Sequence, residues 1–158
     1  MAIIGVDISG QVGTDPPVYA VGVKYLRRNE QKHEVVCLSP SKHDEYDSCT
    51  KNWCEKISAI LIYLAALGVY TSHDVVVIDC DFEGKRRLYV ERYLKRLFGE
   101  RFVGKYPLND PNILWQPAQI NDTVKKAHVK SQRARHRLIE PNITDPNLER
   151  EIGWLKKL

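Results

Sequence analysis

Ile3-Ile4-Gly5-Val6-Asp7-Ile8-Ser9-Gly10 and Val75-Val76-Val77-Ile78-Asp79 decide the fold of this chain. Each contains a short apolar run leading into an aspartate, the pattern of a strand covered on both faces. Outward from the first, residues 2–8 read as a strand, and 11–17, with Gly13, Asp15, Pro16 and Pro17, as a turn. Residues 18–27 alternate as a second strand, 29–31 make a hairpin turn, and 32–38 form a third strand. A polar loop over 39–47 leads to the longest helix, where Cys49, Trp53, Ile57, Ile60, Leu61, Leu64 and Leu67 recur at helical spacing. Ser48 or Asp47 can cap that helix, and Gly68 ends it. Outward from the second run, 75–78 is a fourth strand, 85–98 a second helix, 113–115 a fifth strand and 121–135 a third helix. Asn121 or Asp122 caps the third helix, whose inner face is Val124, Ala127 and Ser131. A break over 141–146 and a short helix over 148–158 follow, which divides the chain into a domain over 1–140 and a tail over 141–158. The order β-β-β-α-β-α-β-α-α predicts an α/β fold: a five-stranded mixed sheet flanked by helices, with the first strand central and beside the fourth.

The 158 residues are 43% hydrophobic and 28% charged, which suits one core-bearing domain and excludes a disordered chain. No apolar run reaches the roughly 18 residues of a membrane span. The first residues carry neither a basic segment nor a cleavage site. The expectation is a soluble, cytoplasmic protein with no membrane partner. Cys37, Cys49, Cys54 and Cys80 form no CxxC pair and read as buried, reduced thiols.

The net charge of +4 is uneven. Residues 84–101 and 121–137 each carry a local +5, leaving the remainder at −6. Two basic segments on an otherwise acidic chain point to a polyanionic partner, and nucleic acid is the leading candidate.

In open α/β sheets, ligands sit beyond the carboxyl ends of the strands. Asp7 and Asp79 end neighbouring strands in the predicted order, and two buried like charges require a cation or a shared proton. Mg²⁺ or Mn²⁺ fits a site of carboxylate oxygens, and Asp122 can lean over the same edge as a third ligand. His128, on the opposite side of the helix from Asp122, could meet a scissile phosphate or a water but reads first as a surface histidine, while Trp53 and Trp115 read as packing. Tyr89, Tyr93 and Tyr106 lie among the basic residues, where they can stack on bases or simply pack.

Three segments carry a family resemblance. Ile3 to Gly13 resembles the opening of ribonuclease HII. Val75 to Glu83, running into a basic helix, resembles the strand–Asp–helix element of that family's archaeal form. Gln119-Ile120-Asn121-Asp122 with Lys126-Ala127-His128-Val129-Lys130-Ser131 and Arg133 is similar to its Asp-bearing segment before a helix with Ser, Lys and Arg. The three occur in the family's order; elsewhere only the element order of the ribonuclease H-like superfamily is shared. The resemblance implies that Asp7, Asp79 and Asp122 are catalytic, metal-binding carboxylates using Mg²⁺ or Mn²⁺. It implies that Gly10, Gln11, Lys126, Lys130, Ser131 and Arg133 meet the nucleic acid. Ile8 stands where the family carries Glu, and Gly10-Gln11-Val12-Gly13 where it carries Gly-Arg-Gly. A substitute carboxylate could come from Asp81, Glu83, Glu45 or Glu55, and Asp81 counts with the metal-site residues. The same first strand also resembles the phosphate loop of actin-like ATPases and sugar kinases, but those need two copies of the fold.

Three function classes follow. The first is a metal-dependent nuclease acting on RNA, DNA or their hybrid. The second is a nucleic-acid-binding module of the same fold with a degenerate site, and the third a protein-interaction domain.

Overall fold

The computed structural model describes residues 2–27, 30–71, 74–79, 82–101, 113–137, 141, 143–144 and 153. Strands β1 (Ile3–Gln11), β2 (Asp15–Arg27) and β3 (Glu30–Leu38) are followed by helices α1 (Pro40–Tyr46) and α2 (Trp53–Leu67). Strand β4 (Val75–Ile78), helix α3 (Gly84–Arg96), strand β5 (Ile113–Trp115), helix α4 (Asp122–Arg135) and the two-residue strand β6 (Ile143–Thr144) complete the order. The sheet runs β5-β4-β1-β2-β3-β6. It is mixed: β1–β2 and β2–β3 are antiparallel, and β1–β4, β4–β5 and β3–β6 are parallel. The five expected strands are present and β1 is central beside β4. The added β6 lies within the expected break over 141–146.

Alternation along the strands sorts the residues onto two faces. Ile4, Val6, Val76 and Ile78 join one core with Ile57, Ile60 and Leu61 of α2 and Val90 and Leu94 of α3. Val75 and Val77 pack with Val124 of α4, and Tyr19, Val21, Val23 and Val35 with Ala127 and Ala134. So α2 and α3 cover one face and α4 the other. Glycines permit the close approach of each layer. A Cβ on Gly5 would stand 2.5 Å from the Thr123 carbonyl carbon of α4, and one on Gly22 2.3 Å from the Ala65 carbonyl oxygen of α2.

Local chemistry moved some boundaries. The expected polar loop contains α1, because Pro40 opens a turn whose Lys42 amide donates to the Ser39 hydroxyl at 3.3 Å. Helix α2 therefore begins at Trp53 rather than near Cys49. In α4 the cap is Asn121, whose side-chain oxygen accepts from the Thr123 and Val124 amides at 3.1 Å each. The expected terminal helix over 148–158, Tyr106, Cys80 and Asp81 lie outside the described residues. Cys37, Cys49 and Cys54 are free thiols.

Candidate metal centre

The register of β1 and β4 explains how two carboxylates meet. Gly5 pairs with Val77 and Val6 with Ile78, and the Asp79 amide donates to the Val6 carbonyl at 3.0 Å. One residue further, Asp7 in the middle of β1 stands beside Asp79 just past the end of β4, so β1 runs on beyond the expected end at residue 8. Both fall on the α4 face, because each lies two residues beyond a residue packed there (Gly5 and Val77). Asp7 is 1% exposed and Asp79 8%.

Helix α4 runs along β1 in the same direction. Thr123 and Val124 sit over Gly5, and Arg135 sits over Gly10. Residues midway therefore reach Asp7. The Ser131 hydroxyl donates to Asp7 Oδ2 and lies 2.9 Å from the His128 carbonyl oxygen. His128, one turn earlier, brings Nδ1 to 3.4 Å from Asp7 Oδ2 and 3.6 Å from Asp79 Oδ2. One donor atom from each of Asp7, Asp79 and His128 lies within 4.8 Å of the others, the span of a single ion's coordination shell. His128 Nδ1 is itself buried and makes no hydrogen bond among the described residues. Two carboxylate oxygens and one imidazole nitrogen form a donor set that suits a divalent cation, so the residues present fit one.

The geometry leaves Asp122, the expected third ligand, apart from these three residues. Asp122 is exposed at the start of α4, outside this group. It precedes His128 by six residues, about 9 Å along a helix axis. The group instead includes His128, the histidine read as a surface residue; the signal was its spacing, four residues after Val124 and three before Ser131, on the packed side of α4.

The expected nucleic-acid contacts divide. Ser131 is fully buried against Asp7. Lys130 is 8% exposed, and burial pushes its ammonium down, with Lys126 and Arg133 adding to the effect. Neither offers a surface contact. Arg133 is exposed and Lys126 half-buried. The loop at Gly10 and Gln11 is held by the protein itself: the Gly13 amide donates to His43 Nε2 at 2.8 Å, and Arg135 pairs with Asp15 at 2.6 Å beside Gly10. Ile8 points to the opposite face, where it lines a cleft of about 240 Å³ with Gly10, Gln11, Ser58 and Arg86. Glu55, Glu45 and Glu83 are outside the group of three; Glu55 lies 3.5 Å from Arg86. A second cleft of about 400 Å³ adjoins the centre itself, lined by Asp79, Gln119, Lys125 and His128.

No helix among the described residues is long and apolar enough to cross a membrane. No protein-family model matches the chain, and no curated protein does. Among solved structures it is similar to a chain of the PCNA:RNase HII complex from Archaeoglobus fulgidus, with a TM-score of 0.52 and 15% identity over 87% of this chain and 76% of that one. Identity that low speaks for the fold, and the chain has a ribonuclease H-like fold, divergent in sequence.

Proposed function

We propose that this chain is a metal-dependent nuclease that hydrolyses phosphodiester bonds of RNA, DNA or their hybrid. The observation that carries the reading is the convergence of Asp7 in β1, Asp79 just past the parallel strand β4, and His128 of α4. Asp7 and Asp79 would hold Mn²⁺ or Mg²⁺ with His128 as the third ligand. A divalent ion bound there supplies Lewis acidity, activating water for attack and offsetting the charge of the departing oxygen. The chain's own residues do the rest. The Ser131 hydroxyl fixes the Asp7 carboxylate, so its oxygens need not reorganise during reaction. Exposed Lys125, in the wall of the adjoining cleft, is placed to hold a flanking phosphate. The expected nucleic-acid partner, the divalent cofactor and a cytoplasmic setting belong to this proposal, as does Asp81 as a further carboxylate.

The test is cleavage of labelled hybrid, duplex and single-stranded substrates with Mn²⁺ by wild type and Asp7→Asn. Asn is isosteric with Asp, so the fold survives, while the loss of charge weakens the metal site. Cleavage by wild type and none by the variant is expected. If both are equally inert on all three substrates, the degenerate binding module is the better reading, with Ile8 in place of a carboxylate as its cause.

A further inference from the structure

The cleft of about 400 Å³ beside the candidate centre shares Asp79 and His128 with it, and its other walls are Ala118, Gln119, Lys125 and Val129. Its volume lies in the range of pockets that enclose small organic groups. Two of those other walls are aliphatic, one is an amide and one a cation, which answers a flat apolar group with polar edges. The wall bearing Ala118 and Gln119 is built in advance. It is a single 3-10 turn, Ala118–Ile120, between β5 and α4. Just before it, the Gln116 amide donates to the Ile78 carbonyl of β4 at 3.0 Å. Just after it, Asn121 Nδ2 donates to Gln116 Oε1 at 2.9 Å, while Asn121 Oδ1 caps α4. Ala118 itself packs against Val75, Val77 and Val124, and the Gln119 side chain is left exposed.

The placement of positive charge is a second, independent observation. On α4, Lys130 and Ser131 are turned inward, and the exposed Lys85, Arg92 and Lys95 of α3 lie across the sheet from α4. A duplex is a rod, stiff over about 150 base pairs, and its phosphates are met along a continuous surface. A single strand turns at each nucleotide and offers its bases to concave sites.

We propose that the centre acts on single-stranded nucleic acid, with one unstacked base of the strand lodged in this cleft. The proposal rests on the nuclease reading of the centre and names its substrate class. Ala118 and Val129 meet the apolar faces of the base. Gln119, both donor and acceptor, meets the edge of any base, so the cleft is indifferent to sequence. Lys125 holds the phosphate on one side of that nucleotide, and the phosphodiester on the other side reaches Asp79 and His128. In a duplex every base is paired and stacked, so the cleft can be filled only after unpairing.

The test is fluorescence anisotropy of labelled strands titrated with the full chain, with no divalent metal added. A short single strand should bind about tenfold more tightly than the same sequence in a duplex or hybrid, the scale of one base contact. It should bind about tenfold more tightly, too, than a sugar-phosphate strand of equal length and charge that lacks bases. Val129→Phe fills the cleft, and Gln119→Ala removes an exposed amide without touching the fold. Each should weaken binding of the normal strand and leave binding of the baseless strand unchanged. The urea midpoint shows whether Val129→Phe is folded, and Gln119→Ala carries the test if it is not. Duplex bound as tightly as single strand, a baseless strand bound as tightly as a normal one, or normal binding by every folded variant overturns the proposal. Cleavage with Mn²⁺ separates it from the nuclease reading. Base-dependent binding with no cleavage of any substrate sinks the nuclease reading and leaves the strand preference standing. Preferred binding and cleavage of duplex or hybrid does the reverse.

Discussion

His128 sets the character of the proposed centre. An imidazole nitrogen among carboxylate oxygens suits Mn²⁺, which accepts nitrogen ligands, better than Mg²⁺, which prefers oxygen and water. Cleavage should therefore be faster with Mn²⁺ than with Mg²⁺ at equal concentration. His128→Asp restores an all-oxygen set and should narrow or reverse that preference. Asp122→Asn, on an exposed side chain away from the group, should leave the ratio unchanged. Initial rates over a matched pair of metal titrations check this. Equal loss in the His128 and Asp122 variants would mean that the ligand set is drawn wrongly.

The docking of α4 on β1 places His128 and Ser131 over Asp7. That docking depends on Gly5, where a Cβ would meet the Thr123 carbonyl group and the Val124 amide at 2.5 to 2.6 Å. The obstructing atoms are backbone, so they cannot swing aside. Gly5→Ala should push the start of α4 off the sheet and destabilise the chain by about 1–3 kcal/mol, the range for overpacking. The urea midpoint measures the loss. Metal affinity of the folded variant should fall with it, because His128 and Ser131 ride on the displaced helix. An exposed replacement on the same helix, such as Lys125→Ala, should leave the midpoint nearly unchanged.

Across the whole molecule, the ends of the sheet divide the work. The candidate metal centre lies where Asp7 of β1 meets Asp79, just past the carboxyl end of β4. At the other end, Lys24 of β2 holds Asp74, just before β4, at 2.7 Å, with both side chains almost fully buried. Burial alone would raise the Asp74 pKa. The hydrogen bonds from Lys24 and the Thr71 amide, with the Lys24 charge and the Thr71 hydroxyl, outweigh it and hold the carboxyl below its usual range. The unfolded chain therefore takes up this proton first. The stabilisation is present in full above an unfolded pKa of about 3.9 and is lost as pH falls through the lower, folded value. Urea unfolding between pH 7 and pH 2 should show that acid loss in wild type, and Asp74→Asn should flatten it. Lys24→Met, which strands a buried carboxylate, should cost about 3–5 kcal/mol at pH 7. The basic segments are divided too. Those of α3 and α4 lie on opposite faces of the sheet, so no single flat basic face results, and a polyanion can meet both only around an edge.

Strands β4 and β5 were legible to the residue, because four- and three-residue apolar runs between polar breaks leave no other reading. The neighbouring Asp7 and Asp79 were legible because alternation and strand order are local rules. Helix α1 was missed: its Ser39–Pro40 start lies in a stretch with no apolar period to mark it. The approach of His128 to the two carboxylates and the burial of Lys130 could not be read, since every residue of α4 has some face and the sequence does not say which points at β1. So the sequence by itself determined the α/β order, the central strand and the pair of neighbouring carboxylates, through hydrophobic period and turn chemistry, but not that β1 runs on past Asp7 to Gln11. Only the tertiary structure decided which helix residue completes the centre, because the seating of α4 depends on the gap at Gly5 and on its register along the strand, a contact between segments more than a hundred residues apart.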